Sequence, residues 1–374
     1  MAEYKTLVEK VSILADKKIK RKEYLKNGKL RIVDQGQDLI GGYTNDLSKQ
    51  IKCDLPVIVF GDHTCSIKYI DFPFAAGADG IKVLKAKNSI ILPRYLYYGT
   101  QYLVLSLANR GYARHYQYIE KMDLPVCSLL RQERIIAHVE ELFSELESVE
   151  KLLKEIKRNI KVYRQAVLKE AFASCPQKVT LESVCKHITD GDHMPPPKAK
   201  TGIPFIMISN IKNNKICWNN MAYVGSNYYD AIDKKRCPQK GDVLYTVTGS
   251  FGIPVKIDFE KKFCFQRHIA LLRPNKGIDQ NFLYYVMQEP SVYVQATKIS
   301  TGTAQKTIGL NVLRKMVIPF VESDEEQKRI TINIENKMSV CDSIEQTINR
   351  VLLQAEAMRR SILKQAFEEG FDGN

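Results

Sequence analysis

The sequence predicts an α+β protein in which two mixed α/β domains are separated by two long antiparallel coiled-coil helices, the halves related by a pseudo-twofold. Three observations carry this. The chain has 374 residues, too many for one ordinary domain and comfortable for two. Counting Lys and Arg against Asp and Glu, the net charge is +7 over residues 1–126, +1 over 127–174, +10 over 175–320 and −4 over 321–374. The two weakly charged segments also space their apolar residues alternately by three and four, the period of a helical seam. The predicted order is domain (1–126), helix (127–174), domain (175–320), helix (321–374).

The first seam is Leu142, Leu146, Val149, Leu153, Ile156, Ile160, Tyr163 and Val167. Neither Gly nor Pro occurs between Pro125 and Pro176, so a helix of about 40 residues, about 60 Å long, is allowed. Adding 195 to each number gives a second seam that includes Cys341, Ile344, Ile348, Val351, Ala355, Met358 and Ile362. Gln132, Arg134, Ile135, Glu140, Ser144, Ser148, Glu150, Arg164, Leu168, Lys169, Ala171 and Phe172 all meet identical residues at the same shift. LKEAF at 168–172 answers LKQAF at 363–367, and EKMDLPV at 120–126 answers RKMVIPF at 314–320. The register is ungapped from 132 to 172 and one residue shorter, 194, for the preceding EKMDLPV; a match of this length is a duplication, and two copies imply a pseudo-twofold molecule rather than a solenoid. The helices are expected to bury their seams against each other, antiparallel, with the basic domains at opposite ends.

In the second basic segment PFIMIS (204–209), DVLYTVT (242–248) and FCFQRHIALLRP (263–274) read as strands by their β-branched and aromatic content. Asp279 reads as the N-cap of a short helix through Phe282, Leu283, Val286 and Met287 that stops near Pro290. The first basic segment follows a similar order, with LRIVDQG, LPVIVFGD and IKVLKAKN before a helical ILPRYLYYGTQY.

Composition excludes several classes. No apolar run approaches the roughly 20 residues that span a bilayer, and the charged N-terminus lacks a secretory core, so a cytoplasmic protein is expected. Nine scattered cysteines, none spaced as CxxC, argue against a disulfide framework and a zinc site. No metal site is expected. The total charge of +14 points to a polyanionic partner.

The chain resembles the specificity subunits of type I restriction-modification systems. The second half carries this through ITDGDHMPPPKAKTGIPFIMISNI (188–211), KGDVLYTVTGSFG (240–252), FQRHIALLRP (265–274), STGTAQKTIGLNVLRKMVIPF (300–320) and EEQKRI (325–330). The first half is similar to other members through IVDQGQDLIGGY (32–43), VIVFGDHTCSIKYIDFPFAAGADGIKVL (57–84) and RQERI (131–135). The resemblance implies a non-catalytic chain with two target-recognition domains. Each would bind one half of a split site on double-stranded DNA. Two methylation subunits would dock on the chain, and restriction subunits would join through them. S-adenosylmethionine, ATP and magnesium would belong to those partners, and the chain itself shows no phosphate loop and no Asn-Pro-Pro-aromatic tetrapeptide. The alternative is a DNA-binding coiled-coil adaptor, or the specificity module of another methyltransferase-based defence system.

Candidate DNA contacts are read from loops that combine cations, amides and hydroxyls. In the second domain they are Asp190, His193, Lys198 and Lys200 in a proline-stiffened loop, Arg267 beside His268, and Thr301, Thr303, Gln305 and Lys306 around Gly302. Asp190 with His193, and Arg267 with His268, serve equally well as structural pairs. In the first domain the candidates are Gln35 and Gln37 about Gly36, His63, Thr64 and Lys68 after an apolar strand, and Arg110, Tyr112, Arg114 and His115. In that last stretch cations interleave with tyrosines, as at nucleic-acid surfaces or on a buried β edge. Asp62 beside His63 reads as a turn-stabilising aspartate rather than half of a catalytic pair.

Overall fold

The computed structural model describes residues 1–77, 80–87, 89–107, 113–193, 196–300 and 306–369. They form two compact units, Met1–Lys154 with Asn349–Asn374, and Glu155–Ile348. The main elements in chain order are β1 (Val8–Val11), β2 (Leu30–Val33), β3 (Gly42–Thr44), β4 (Val57–Gly61), β5 (Ile67–Ile70), β6 (Phe74–Ala76), β7 (Ile81–Ala86), α1 (Pro93–Leu105) and the long α2 (Leu129–Ala173). The second set is β8 (Cys185–Asp190), β9 (Ile203–Ile206), β10 (Ala222–Val224), β11 (Val243–Thr246), β12 (Pro254–Lys256), β13 (Cys264–Phe265), β14 (Ile269–Pro274), α3 (Gln280–Val286), α4 (Pro290–Ile299) and the long α5 (Asp324–Lys364), which a wider turn, Gln365–Glu369, continues.

Both units have one topology. In the first, an antiparallel sheet runs in the order β1-β7-β4-β5, and a second sheet, β3-β2-β6, pairs β2 antiparallel to β3 and parallel to β6. In the second unit the orders are β8-β14-β11-β12 and β10-β9-β13, with the same senses. The central strands β4 (VIVFG) and β11 (VLYT) are buried at every residue, so an uninterrupted apolar run is the correct code for them. Short helices then cover each sheet: α1 begins with Pro93 at its first turn, and Asp279 caps α3 by accepting the Phe282 N–H at 2.8 Å. Pro290 opens α4 instead of merely stopping the helix before it.

One predicted strand is two. FCFQRHIALLRP splits at Gln266–His268 into β13 and β14, which lie in different sheets. An apolar run on both sides of a three-residue turn has the same local composition as one long strand, so periodicity could not place the break.

Each long helix gives one half to each unit. In the first unit Val139 and Phe143 of α2 share a core with Phe60, Tyr95 and Phe367; in the second, Val167 and Phe172 share one with Tyr245, Phe282 and Ile334. Leu146, Ile160, Ile348 and Ile362 are buried, and Leu153, Ile156 and Val351 half-buried. Val149, Tyr163, Ile344 and Met358 correct the predicted seam: they are 46%, 50%, 42% and 54% exposed. Their places are taken by the next residue along, a charged one. Arg359 Nε lies 3.2 Å from Glu150 and Nη1 3.6 Å from Glu147, and its guanidinium sits over the Phe143 ring. In the other unit Arg164 meets Asp342 at 2.6 Å and Glu345 at 3.3 Å. Contacts of Arg164 with Asp342 and of Glu170 with Lys337 show the helix segments there to be antiparallel. A long charged side chain packs its stem as a hydrophobe does and keeps its head at the seam's edge, which an apolar-only reading of the period cannot register.

Candidate nucleic-acid interface

In the first unit the turns at one end of the sheet are tied together. Between β4 and β5 the chain turns through Gly61–Ser66, with Cys65 in the left-handed region at φ 54°. Thr64 Oγ1 donates to the Gln35 carbonyl at 2.6 Å, Ser66 Oγ to the same oxygen at 2.9 Å, and Lys68 Nζ to the Asp34 carbonyl at 2.8 Å. The turn after β2 is thereby fastened to the turn after β4. Asp62 fastens two more segments: its N–H donates to Gly80, its carbonyl accepts the His115 N–H at 2.8 Å, and its carboxylate accepts the Tyr116 N–H at 2.9 Å. It is a turn-holding residue, as read from sequence. His63 Nδ1 lies 3.2 Å from the Ala113 carbonyl.

Gln35, His63, Thr64, Lys68 and His115, scattered over 80 positions of sequence, therefore share one locality. Gln37, Thr64 and Arg114 are exposed. Lys68 and His115 are corrected as contact residues, at 4% and 7% exposure. Burial pushes the Lys68 ammonium below its ordinary pKa while the Asp34 carboxylate pulls it back, so this cation positions the Gln35 turn. Arg110 and Tyr112 lie outside the described residues.

The second unit repeats the arrangement. Val247, following β11, donates to His268 and accepts from Ile308, at 2.9 and 2.8 Å, and Gly249 donates to the Lys306 carbonyl at 2.9 Å. Asp192 donates to Phe265 and accepts from Arg267. Lys198, Lys200, Arg267 and Lys306 are exposed on these loops. Arg267 stands in the turn between β13 and β14 rather than in a strand. Asp190 is buried, with one oxygen on Arg236 at 3.2 Å and the other on His193 at 2.8 Å, which is the loop-holding pair of the two readings open from sequence. Burial, aided by Arg267, lowers the His268 pKa, so this imidazole is neutral at pH 7. Thr301, Thr303 and Gln305 lie outside the described residues. A cavity of about 460 Å³ opens beside this loop, lined by Gly191, Asp192, Tyr228, Ile232, Arg236 and Phe265, and Tyr228 donates to Asp192 across it.

The connections β1–β2 and β8–β9 are pinned at the same two points in both units. Ile19 bridges Gly77 just past β6 and Leu25 bridges Tyr43 of β3; Asp192 bridges Gln266 just past β13 and Ala199 bridges Tyr223 of β10. Sequence reading nominated this loop in the second unit, through its prolines and lysines, and missed its counterpart in the first. The run KKIKRK at 17–22 was the available signal. Ser66 and Arg236 were also missed, and no local motif marks them, because each acts on a residue about 30 to 46 positions away.

Among the described residues no group of three or more His, Cys, Asp or Glu is placed to hold a metal ion, and no helix is long and apolar enough to cross a membrane.

Duplicated loop clusters on a duplicated mixed sheet, each packed on halves of two long helices, define a class of two-unit scaffolds. Residues 177–354 match the type I restriction modification DNA specificity domain. The chain is similar to the type I restriction enzyme EcoBI specificity subunit of Escherichia coli, 24% identical over 88% of this chain and 73% of that one. In fold it is similar to a chain from a type I restriction-modification system solved to explain complex assembly and conformational transition, at a TM-score of 0.70 and 19% identity over 91% of this chain and 92% of that one. It is also similar to the HsdS subunit from Thermoanaerobacter tengcongensis, at 0.53 and 18% over 99% and 96%. Residues 177–354 thus match a type I specificity domain, and the chain is similar to type I specificity subunits over most of its length, as the motifs led us to expect.

Proposed function

We propose that the chain is the DNA sequence-specificity subunit of a type I restriction-modification enzyme and reads a bipartite target. Residues 1–126 and 175–320 are the two target-recognition domains in this reading, each presenting its loop cluster to one half-site. The observation that carries it is the repetition of one cluster on one topology, with exposed cations at its rim in both copies. Direct base contact falls to exposed side chains such as Gln37, Thr64, Arg267 and Lys306, while buried Lys68, Asp62 and Asp190 hold the loops that carry them. The long helices dock two methylation subunits, and restriction subunits join through these. The chemistry, with its S-adenosylmethionine, ATP and magnesium, resides in the partners.

The test is co-expression with the cognate methylation subunit, followed by mapping of every methylated adenine. One motif of two half-sites with a fixed spacer is expected. Replacing residues 1–126 by the corresponding domain of a relative should then change one half-site and leave the other. Simultaneous change of both halves, or a single undivided motif, rules the reading out.

A further inference from the structure

We infer that residues 17–29 of the first unit form a pre-organised phosphate-binding ribbon, a sequence-independent grip on DNA distinct from the loops that read bases. The inference rests on the DNA-binding reading above and adds to it a surface and a role. The β1–β2 connection, residues 12–29, holds seven Lys and Arg against two carboxylates; its counterpart between β8 and β9, residues 191–202, holds two against one. Most of the first domain's +7 is concentrated here.

A run of lysines is usually a solvated tail. This one is fixed. Ile19 and Leu30 are 4% and 3% exposed and pack with Ile32, Ala75 and the half-buried Tyr24. Backbone bonds join Ile19 to Ala76 at 3.0 Å and Leu25 to Tyr43 at 2.9 and 3.0 Å. Lys17 Nζ is bound to the Ser48 carbonyl at 2.8 Å. Two 3₁₀ turns, Ala15–Lys17 and Arg21–Glu23, shape the ribbon between these anchors. Lys20, Arg21, Lys22, Lys26 and Lys29 stand exposed along it, and among the described residues none of the five is in an ion pair with a carboxylate. Cations held on a rigid strip lose less freedom when they meet a row of phosphates than cations on a tail.

Position also favours DNA. Ile19 bridges Gly77, and the Cβ of Asp34 lies where a side chain at Gly77 would stand. Asp34 begins the Gln35 turn of the reading cluster. The ribbon is therefore continuous with that cluster, and a duplex laid on the loops would run its backbone beside the lysines.

The experiment uses the full chain and measures affinity for duplex DNA across a salt titration. Two duplexes are compared, one carrying the mapped target and one of unrelated sequence. Each phosphate contact contributes about 0.9 to the slope of log affinity against log salt. The variant Lys20→Gln/Arg21→Gln/Lys22→Gln should lower that slope by about 2 to 3 and weaken binding at least about tenfold at fixed salt on both duplexes alike. An equal loss of charge on a long helix, Lys151→Gln/Lys161→Gln/Lys169→Gln, should leave the slope within about 0.5 of the parent's. If the parent binds neither duplex, the DNA-binding reading itself fails, and the ribbon with it. If the parent binds and the ribbon variant keeps its slope, the ribbon is overturned alone, and an acidic protein surface becomes its partner. Equal losses in the helix control reduce the effect to net charge, and a loss confined to the target duplex reassigns these residues to base reading; either result overturns the proposal.

Discussion

Where the long helix meets the sheet, the two units solve one problem with the cation on different elements. In the first, Arg94 at the start of α1 lies over the Tyr69 ring at 3.9 Å and pairs with Glu140 of α2 at 3.2 Å. In the second, the strand position equivalent to Tyr69 is Lys256, paired across its sheet with Val243 as Tyr69 is with Ile58. Lys256 donates to Asn281, the equivalent of Arg94, at 2.7 Å and meets Glu335 at 3.7 Å. Glu335 is Glu140 plus 195. The helix keeps its carboxylate, while strand and short helix have exchanged the charge that answers it. Geometry has been kept where identity has not, because the junction requires one cation within reach of the carboxylate and is indifferent to which element supplies it.

The comparison is broken most severely at Gly191. Any Cβ there would overlap the Phe265 carbonyl and the Gln266 backbone, whereas the equivalent place in the first unit is filled by Lys18. The two loops bond to their strands at the same distance, Asp192 N–H to Phe265 at 3.1 Å and Ile19 N–H to Ala76 at 3.0 Å, but only in the second unit is the position before that bond closed to a side chain. Gly191→Ala should cost about 3 kcal/mol or more, since backbone rather than a flexible side chain must yield. Urea unfolding of the full chain checks it. A loss under about 1 kcal/mol would mean that the close approach relaxes freely.

A second prediction concerns what the units share. Gln132 and Gln327, both fully buried and 195 apart, make equivalent bonds. Gln132 accepts the Leu92 N–H at 2.8 Å and donates to the Cys127 and Ile90 carbonyls; Gln327 accepts the Asp279 N–H at 2.9 Å and donates to the Val321 carbonyl. Each ties the start of a long helix to the N-cap of the short helix over its sheet. Gln→Leu at either position strands buried backbone groups and should cost about 1 to 3 kcal/mol, in similar measure in both units. A loss at one position only would show the equivalence to be geometric and not energetic.

The smallest effect is expected at the charged seam. Double-mutant cycles on Arg164 with Glu345 and on Arg359 with Glu150 should each give a coupling of about 0.5 to 1 kcal/mol, because the pairs are only partly withdrawn from water. Coupling that agrees between the cycles supports their equivalence; coupling in one alone would break it.

By itself the sequence determined the two long helices, the duplication and the alternation of basic with weakly charged segments, because periodicity and charge are local properties that survive in every window of a helix. It also marked most of the loops, since prolines, amides and cations concentrate where chain turns. Only the tertiary structure decided that FCFQRHIALLRP serves two sheets, that Lys68 and His115 are buried supports, and that Glu150, Arg164, Glu345 and Arg359 displace Val149, Tyr163, Ile344 and Met358 from the seam. It alone aligned residues 17–29 with the proline loop of the second unit. Strand pairing joins residues whose separation in sequence carries no period, so the identity of two sheets, and of the loops hung on them, becomes legible only when the pairs are seen.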